Sequence, residues 1–326
     1  MGSIHLNTIT NHVSVARVAA ISGINPQRAS SEANRWGALA HYTDALDLIH
    51  DHKVDAIVIA SPADTHAELT IAAILARKPV FVEKPLSTSS SDALRVVNTE
   101  NATACRRVRL GFMRRYDPAY LALKDVVASG LIGSPLMVHC AHRLMAVPPT
   151  FTSEMLITEG LTHEIDVARW LTSSEIAAVR VYTPGPSGRA APGVADPQFV
   201  VLETDSGALI DVEISVNAGY SYDIRCEVVC EDGTSELADF SRIHIRHKQY
   251  ASSPLVRSWA DRFEDAYRAE LRTWIDDLID GEIVGPTAWD GYAAAVVAEA
   301  GVLSLRTGAE VPTAFARKPE LYLSDG

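Results

Sequence analysis

Short apolar runs alternating with helical stretches through the first third of the chain constrain its fold more than any other feature. VDAIVIA (54–60) and PVFV (79–82) are apolar runs rich in β-branched residues, the pattern of strands covered on both faces. Helical patterns surround them over residues 3–12, Pro26–Trp36, Asp44–His50, Thr65–Ala76 and Ser89–Asn98, with further strands at Arg17–Ile21 and Arg109–Phe112. Alternation of this kind predicts an α/β domain over residues 1–112, a parallel sheet with helices on both faces.

From about residue 135 the pattern changes. Leu136–Arg143 alternates, and runs at 198–204, 208–216 and 224–231 follow. Ala208, Ile210, Val212, Ile214 and Val216 share one face of their run, with Asp211, Glu213, Ser215 and Asn217 on the other. That spacing predicts an open, mainly antiparallel sheet with one buried side in an α+β domain over 113–326. The segment 183–193 (TPGPSGRAAPG) is a loop between strands. A helix over about 255–280 ends at Gly281, and a C-terminal helix over about 288–306 is expected to pack back on the first domain.

The 326 residues leave room for two such domains. Their 29 basic and 41 acidic side chains give a net charge of −12, a surface that disfavours nucleic acid and anionic membranes as partners. No apolar run reaches the ~20 residues of a membrane span, and MGSIHLNTIT lacks the basic start and apolar core of a signal peptide. These features predict a soluble, cytoplasmic protein. The four cysteines fit that compartment: Cys226 and Cys230 lie about 13 Å apart on one strand, beyond disulfide reach. Cys105 and Cys140 stand alone in the sequence, and no His/Cys cluster has metal-ligand spacing.

Three features bear on chemistry. A dinucleotide-binding βαβ unit opens with a strand, then G-x-G-x-x-G, then a helix whose N-terminus holds the pyrophosphate. Here Met1-Gly2 leads directly into the helix, with Gly2 in the place of the last glycine, and Gly23 stands where a ribose-binding acid is expected. Second, Glu83-Lys84-Pro85 follows the strand PVFV. Its lysine, at the C-terminal end of a parallel strand, faces the crevice where such sheets bind ligands, although the same position suits a surface lysine at a turn. The proline permits a cis bond that would fix where the amine points. Third, in MLITEGLTHEIDVARWL (155–171), read as one helix, Glu159, His163 and Asp166 share a face. That face suits a general base tuned by carboxylates, or simply a solvated polar surface. His139 and His142 fall on opposite faces of their strand, which argues against a shared metal, while Tyr220 and Tyr222 fall on one face.

Several segments together resemble the glucose-fructose oxidoreductase/inositol dehydrogenase (Gfo/Idh/MocA) family. VDAIVIASPADTHAELTIAAILARKPVFVEKP is similar to its cofactor-domain signature. GFMRRYDPAY, PLMVHCAHR, HEIDVARWL, VNAGYSYDIRCEVV and GPTAWDGYAAAV are similar to its inositol 2-dehydrogenase branch. The resemblance implies a Rossmann-type domain whose first strand is missing, and hydride transfer from a cyclic polyol CH–OH to NAD or NADP, giving a ketone. By position it implies Lys84, Glu159 and His163 as the catalytic set, with His163 as base and Glu159 in the place of the family's aspartate. It places Gly2, Ser61, Pro62, Thr65, His66, Glu83 and Lys84 at the cofactor, and Arg114, His142, Asp166 and Tyr222 at ring hydroxyls. It implies a homo-oligomer, a tetramer formed through the open sheet face, and no metal.

The chain departs from that pattern in the glycine loop, at Gly23, at Glu159 and at Leu144, where the family has asparagine. Gly23, with Arg28 near, leaves NADP open beside NAD. The short glycine loop predicts weak dinucleotide binding, and a degenerate, non-catalytic relative is the alternative that follows from it.

Overall fold

The structure is a computed structural model that describes residues 1–238 and 243–323. It divides into two compact units. The first comprises Met1–Met113 and Asp265–Ala295 together with the chain from Ala316; the second comprises Arg114–Glu264 and Val296–Phe315.

In the first unit α1 (Gly2–His12), β1 (Ala20–Ser22), α2 (Pro26–Trp36), β2 (Ala40–Tyr42), α3 (Ala45–His50), β3 (Ile57–Ile59), α4 (His66–Leu75), β4 (Val80–Glu83), α5 (Ser90–Ala102) and β5 (Val108–Gly111) follow one another. Local chemistry sets the helix limits. Asn25 accepts from the Arg28 N–H with Pro26 opening α2, and Asp44 and Ser89 cap α3 and α5 in the same way. Gly37, at φ +69°, closes α2 in the left-handed conformation that glycine adopts without strain. All pairings are parallel, β1 with β2 and β3–β4–β5 in that order. Central β4 is buried throughout, as its unbroken apolar run requires.

Strand β1 lies three residues later than the Arg17–Ile21 run predicts. Strand β2, only Ala-His-Tyr, was not expected at all, because three half-exposed residues carry no periodicity. Phe81 packs with Val13, Leu271, Trp274 and Ile275, which joins the end of α1 to the helix α8 (Trp259–Asp280) described below.

In the second unit α6 (Pro118–Ala128), β6 (Pro135–Arg143), α7 (Thr162–Thr172), β7 (Ile176–Tyr182), β8 (Gln198–Thr204), β9 (Leu209–Ser215), β10 (Asp223–Cys230) and β11 (Thr234–Glu236) precede a small hairpin, β12 (Ile245–His247) with β13 (Tyr250–Ser252). Helices α8 and α9 (Ala288–Thr307) run through both units, and β14 (Val311–Pro312) follows. The large sheet has the order β11-β10-β6-β9-β8-β7-β14, antiparallel except for β6 with β9. Val138, Val200, Leu202, Ile210, Val212 and Ile214 form its buried face.

The opposite face mixes half-exposed Met137, Tyr182, Phe199 and Leu209 with ion pairs of Arg143 to Glu213 and Asp223. Within α9, Gly291 abuts Leu86 and Leu110 of the first unit, while Gly301 abuts Ile157 of the second. No helix among the described residues is long and apolar enough to cross a membrane.

Candidate active site

The first unit gathers its candidates at the C-terminal ends of β3, β4 and β5. Helix α1 starts at Gly2 without a side-chain cap, and a Cβ at Gly2 would lie 4.0 Å from the Ala60 Cβ, so the helix begins beside the end of β3. Thr65 Oγ1 donates to the Pro62 carbonyl (2.7 Å), so the Ser61 hydroxyl donates to Thr65 across 2.6 Å. Buried His66 sets its two ring nitrogens against the carbonyl oxygens of Ser61 (2.9 Å) and Pro85 (2.7 Å), tying the loop after β3 to the turn after β4. In that turn the Lys84–Pro85 bond is cis and Lys84 is half-buried.

Glu83, 5% exposed, lies 2.6 Å from Nε2 of buried His5 in α1. A Cβ at Gly111 would fall 3.2 Å from the Glu83 carboxylate, so glycine lets β5 run close beside it. These residues fit a dinucleotide. The amide groups of an uncapped helix end favour an anion, the first turn carries no acidic side chain to oppose it, and the buried Nδ1 of His5 has no hydrogen-bond partner among the described residues. Gly23 donates its N–H to the Tyr42 carbonyl, and a Cβ there would meet only Ala29, at 3.8 Å.

In the second unit the segment expected as one helix over 155–171 is two. Leu156–Leu161 is π-helical, and α7 begins at Thr162. Hydrogen bonds five residues apart widen that turn. The segment is not one helix with a single solvated face: Glu159 is exposed, whereas His163 and Asp166 are buried in α7.

Asp166 accepts from Arg115 Nε (3.0 Å) and Nη2 (2.6 Å). Arg114, 2% exposed, gives Nη1 to Glu164 at 2.5 Å and lies over the rings of Tyr120 and Phe263. The resemblance puts Arg114 and Asp166 at ring hydroxyls; in the structure both are also buried members of ion pairs.

Glu164 was not anticipated. Its carboxylate, 1% exposed, also meets His142 Nδ1 at 3.1 Å. Burial pushes that carboxyl up, but Arg114 and His142 overcome the penalty and hold it at about 2. The His142 ring lies 6.3 Å from that of His163 and 6.0 Å, edge-on, from that of Tyr222. Tyr222 is buried, and burial raises its phenol to about 12.

Tyr220 and Tyr222 do not share a strand face as expected. They precede β10, and Tyr220 is half exposed, donating to Asp223 at 2.6 Å. His139 does point away from His142, pairing with Asp211. Cys140, isolated in the sequence, is the cross-strand partner of Cys226, with the two Sγ atoms 3.9 Å apart. All four cysteines are free thiols. A cavity of about 520 Å³ flanks Tyr222 along the outer edge of β10, between Arg225 and Leu255, and neither His142 nor His163 lines it.

No residue pattern announces a π-turn. A lone histidine in a short helix, such as His5, gives no signal of its role either. Glu164 could have been found only by asking what would pair with an arginine as apolar in its surroundings as Arg114.

Comparison with known proteins adds the lineage. Residues 1–112 match the family model "Oxidoreductase family, NAD-binding Rossmann fold", and residues 124–313 match "Oxidoreductase family, C-terminal alpha/beta domain" of the same family. The inositol 2-dehydrogenase of Streptomyces avermitilis is 44% identical over 323 residues, covering 99% of this chain and 94% of that protein. Inositol 2-dehydrogenase 2 of Saccharopolyspora erythraea is 45% identical over 322 residues, covering 99% and 95%. Among solved structures, myo-inositol dehydrogenase from Lactobacillus casei, in complex with NAD(H) and myo-inositol, superposes with a TM-score of 0.96 at 33% identity. The match covers 99% of this chain and 96% of that one. None of these matches favours the non-catalytic alternative. With both halves matched, the chain belongs to the Gfo/Idh/MocA oxidoreductase family and carries its NAD-binding Rossmann domain.

Proposed function

We propose that this protein is an NAD-dependent inositol 2-dehydrogenase, oxidising one CH–OH of myo-inositol or a closely similar cyclic polyol to a ketone. The observation that carries the reading is the group His142, His163 and Tyr222, buried ring side chains with the His142 centroid 6.3 Å from that of His163 and 6.0 Å from that of Tyr222, beside the buried Arg114–Glu164 pair. A polyol offers many hydroxyls, and a site that orients it needs several fixed donors and acceptors of this kind.

His163 takes the proton of the reacting hydroxyl as general base, and the Lys84 ammonium donates a hydrogen bond to that oxygen, favouring alkoxide character. Bound NAD supplies the acceptor for the hydride that leaves the carbinol carbon. The alcohol thus loses a hydride and a proton, and the carbon becomes a carbonyl. Glu159, at the exposed side of the π-turn four residues before His163, takes the aspartate's place in orienting the base. Arg114, His142, Asp166 and Tyr222 bind ring hydroxyls, with Arg114 and Asp166 held by their ion pairs to Glu164 and Arg115.

On the cofactor side, the start of α1 at Gly2 receives the pyrophosphate. Ser61, Pro62, Thr65, His66 and Glu83 shape the nicotinamide end. Gly23 puts no carboxylate at that position to repel a 2′-phosphate, which leaves NADP open beside NAD.

The half-exposed apolar residues on the open sheet face support a homo-oligomer, a tetramer by family analogy. The free thiols support a cytoplasmic location, where oxidation of an inositol to a ketone would serve inositol catabolism. Steady-state NADH formation with a panel of inositols tests the reading. His163→Ala is expected to abolish oxidation while NAD affinity, read by calorimetry, stays within about twofold. Turnover retained in that variant would remove His163 from its role.

A further inference from the structure

Glu164 stands in a position that a merely structural ion pair would not need. Its carboxylate is shared between Arg114, 2.5 Å away, and His142 Nδ1, 3.1 Å away, and all three side chains are buried. The same Nδ1 lies 3.5 Å from Arg114 Nη2. An imidazole nitrogen between a carboxylate and a guanidinium must satisfy one of them. A bare Nδ1 would set its lone pair against the carboxylate at the shorter distance, whereas an N–H there makes a charge-assisted bond to Glu164. Arg114 and His142 hold that carboxyl low enough to be ionised near neutral pH, and an ionised carboxylate 3.1 Å away favours the N–H at Nδ1 over the alternative tautomer. Among the described residues both hydrogen-bonding neighbours of His142 lie at Nδ1 and none at Nε2.

We infer that Glu164 is a positioning residue that locks His142 in the Nδ1–H tautomer, so that Nε2 can only accept a hydrogen bond and reads a polyol hydroxyl as a donor. Specificity then arises from a proton location set one residue behind the surface of the site. A ring hydroxyl facing His142 must turn its proton toward Nε2, which fixes where its lone pairs point. An isomer that needs that oxygen to accept at the same place is left with an unpaired group. The inference rests on the proposed contact between His142 and the polyol, and the experiment separates the two.

The tautomer is read by nitrogen NMR of the protein with ¹⁵N-labelled histidine, comparing wild type with Glu164→Gln. The expected wild-type spectrum has a protonated Nδ1 and a bare Nε2 at His142, and the variant is expected to populate both tautomers. In kinetics, Glu164→Gln is expected to raise the KM for myo-inositol about tenfold with kcat within about twofold. It should raise KM no further in a His142→Ala background, because the residue it positions is gone.

A His142 tautomer unchanged by Glu164→Gln, or KM effects of the two substitutions that multiply, would overturn the inference. A tautomer that shifts while His142→Ala leaves KM unchanged would uphold the lock and refute the polyol contact. If Glu164→Gln alone does not fold, because it strands the buried Arg114 charge, Arg114→Met/Glu164→Gln removes both charges and carries the same spectrum. A wild-type tautomer in that double variant refutes the lock equally.

Discussion

Replacing Glu164 by Gln keeps the volume of the side chain and removes its charge, so the loss in stability can be worked from the electrostatics alone. Burial opposes ionisation here, yet Arg114 and His142 bring the carboxyl from 4.5 down to about 2. At about 1.4 kcal/mol per pH unit, that corresponds to about 3 kcal/mol of folding free energy near neutral pH. The figure agrees with the ~3–5 kcal/mol expected when one partner of a buried pair is removed.

The sign follows from the depressed folded-state value. The contribution is fully present above the unfolded value near 4.5 and is lost as pH falls toward about 2. Urea unfolding of wild type and Glu164→Gln across a pH series should therefore show a gap of about 3 kcal/mol near neutrality, flat down to about pH 5 and narrowing steadily below it. A gap independent of pH down to the acid limit, or a variant as stable as wild type, would refute the assignment of that energy to the ionised carboxylate.

Two further predictions concern the first unit and the helix shared by both. A Cβ at Gly291 would approach Leu86 Cβ to 2.7 Å and Leu110 Cδ2 to 2.8 Å, and at Gly301 only the Ile157 Cγ2 methyl, at 3.0 Å. Gly291→Ala should lose about 1–2 kcal/mol despite the gain in helix propensity, and Gly301→Ala should be near neutral. Thermal melts decide it, and equal behaviour of the two variants would contradict the packing argument. His5→Leu strips buried Glu83 of its 2.6 Å partner and should cost about 1–3 kcal/mol. His5→Gln, whose amide nitrogen can take the place of Nε2, should recover most of it in urea unfolding; no recovery would mean that ring packing on Phe81 is what matters.

The parts of this molecule that could be read from sequence are those where one residue type has one physical use. Asn25-Pro26, Asp44 and Ser89 announce helix starts because a short polar side chain at an N-cap satisfies a backbone N–H that nothing else reaches. The run 208–216 contains β9 because apolar and polar residues alternate along it and admit a single burial pattern. Lys84 and His163 stand out as candidates for a weaker reason: a cation after a parallel strand and a histidine among carboxylates suit this chemistry, but they suit surface positions as well.

The illegible parts depend on partners remote in the chain. Strand β2 exists because β1 lies beside it, and its three residues carry no pattern of their own. The π-turn at Leu156–Leu161 replaces the single helix that the spacing predicts, because no residue pattern marks where hydrogen bonds shift from four to five residues apart. A buried carboxylate that helical register passes over is Glu164, adjacent to His163 in sequence and turned about 100° from it on the helix. There it meets Arg114 from 50 residues upstream and His142 from the neighbouring sheet. Periodicity ranks residues by the face they share with one another. A site is organised by which buried charge must be neutralised, and in this chain that requirement selects Glu164, which periodicity sets aside.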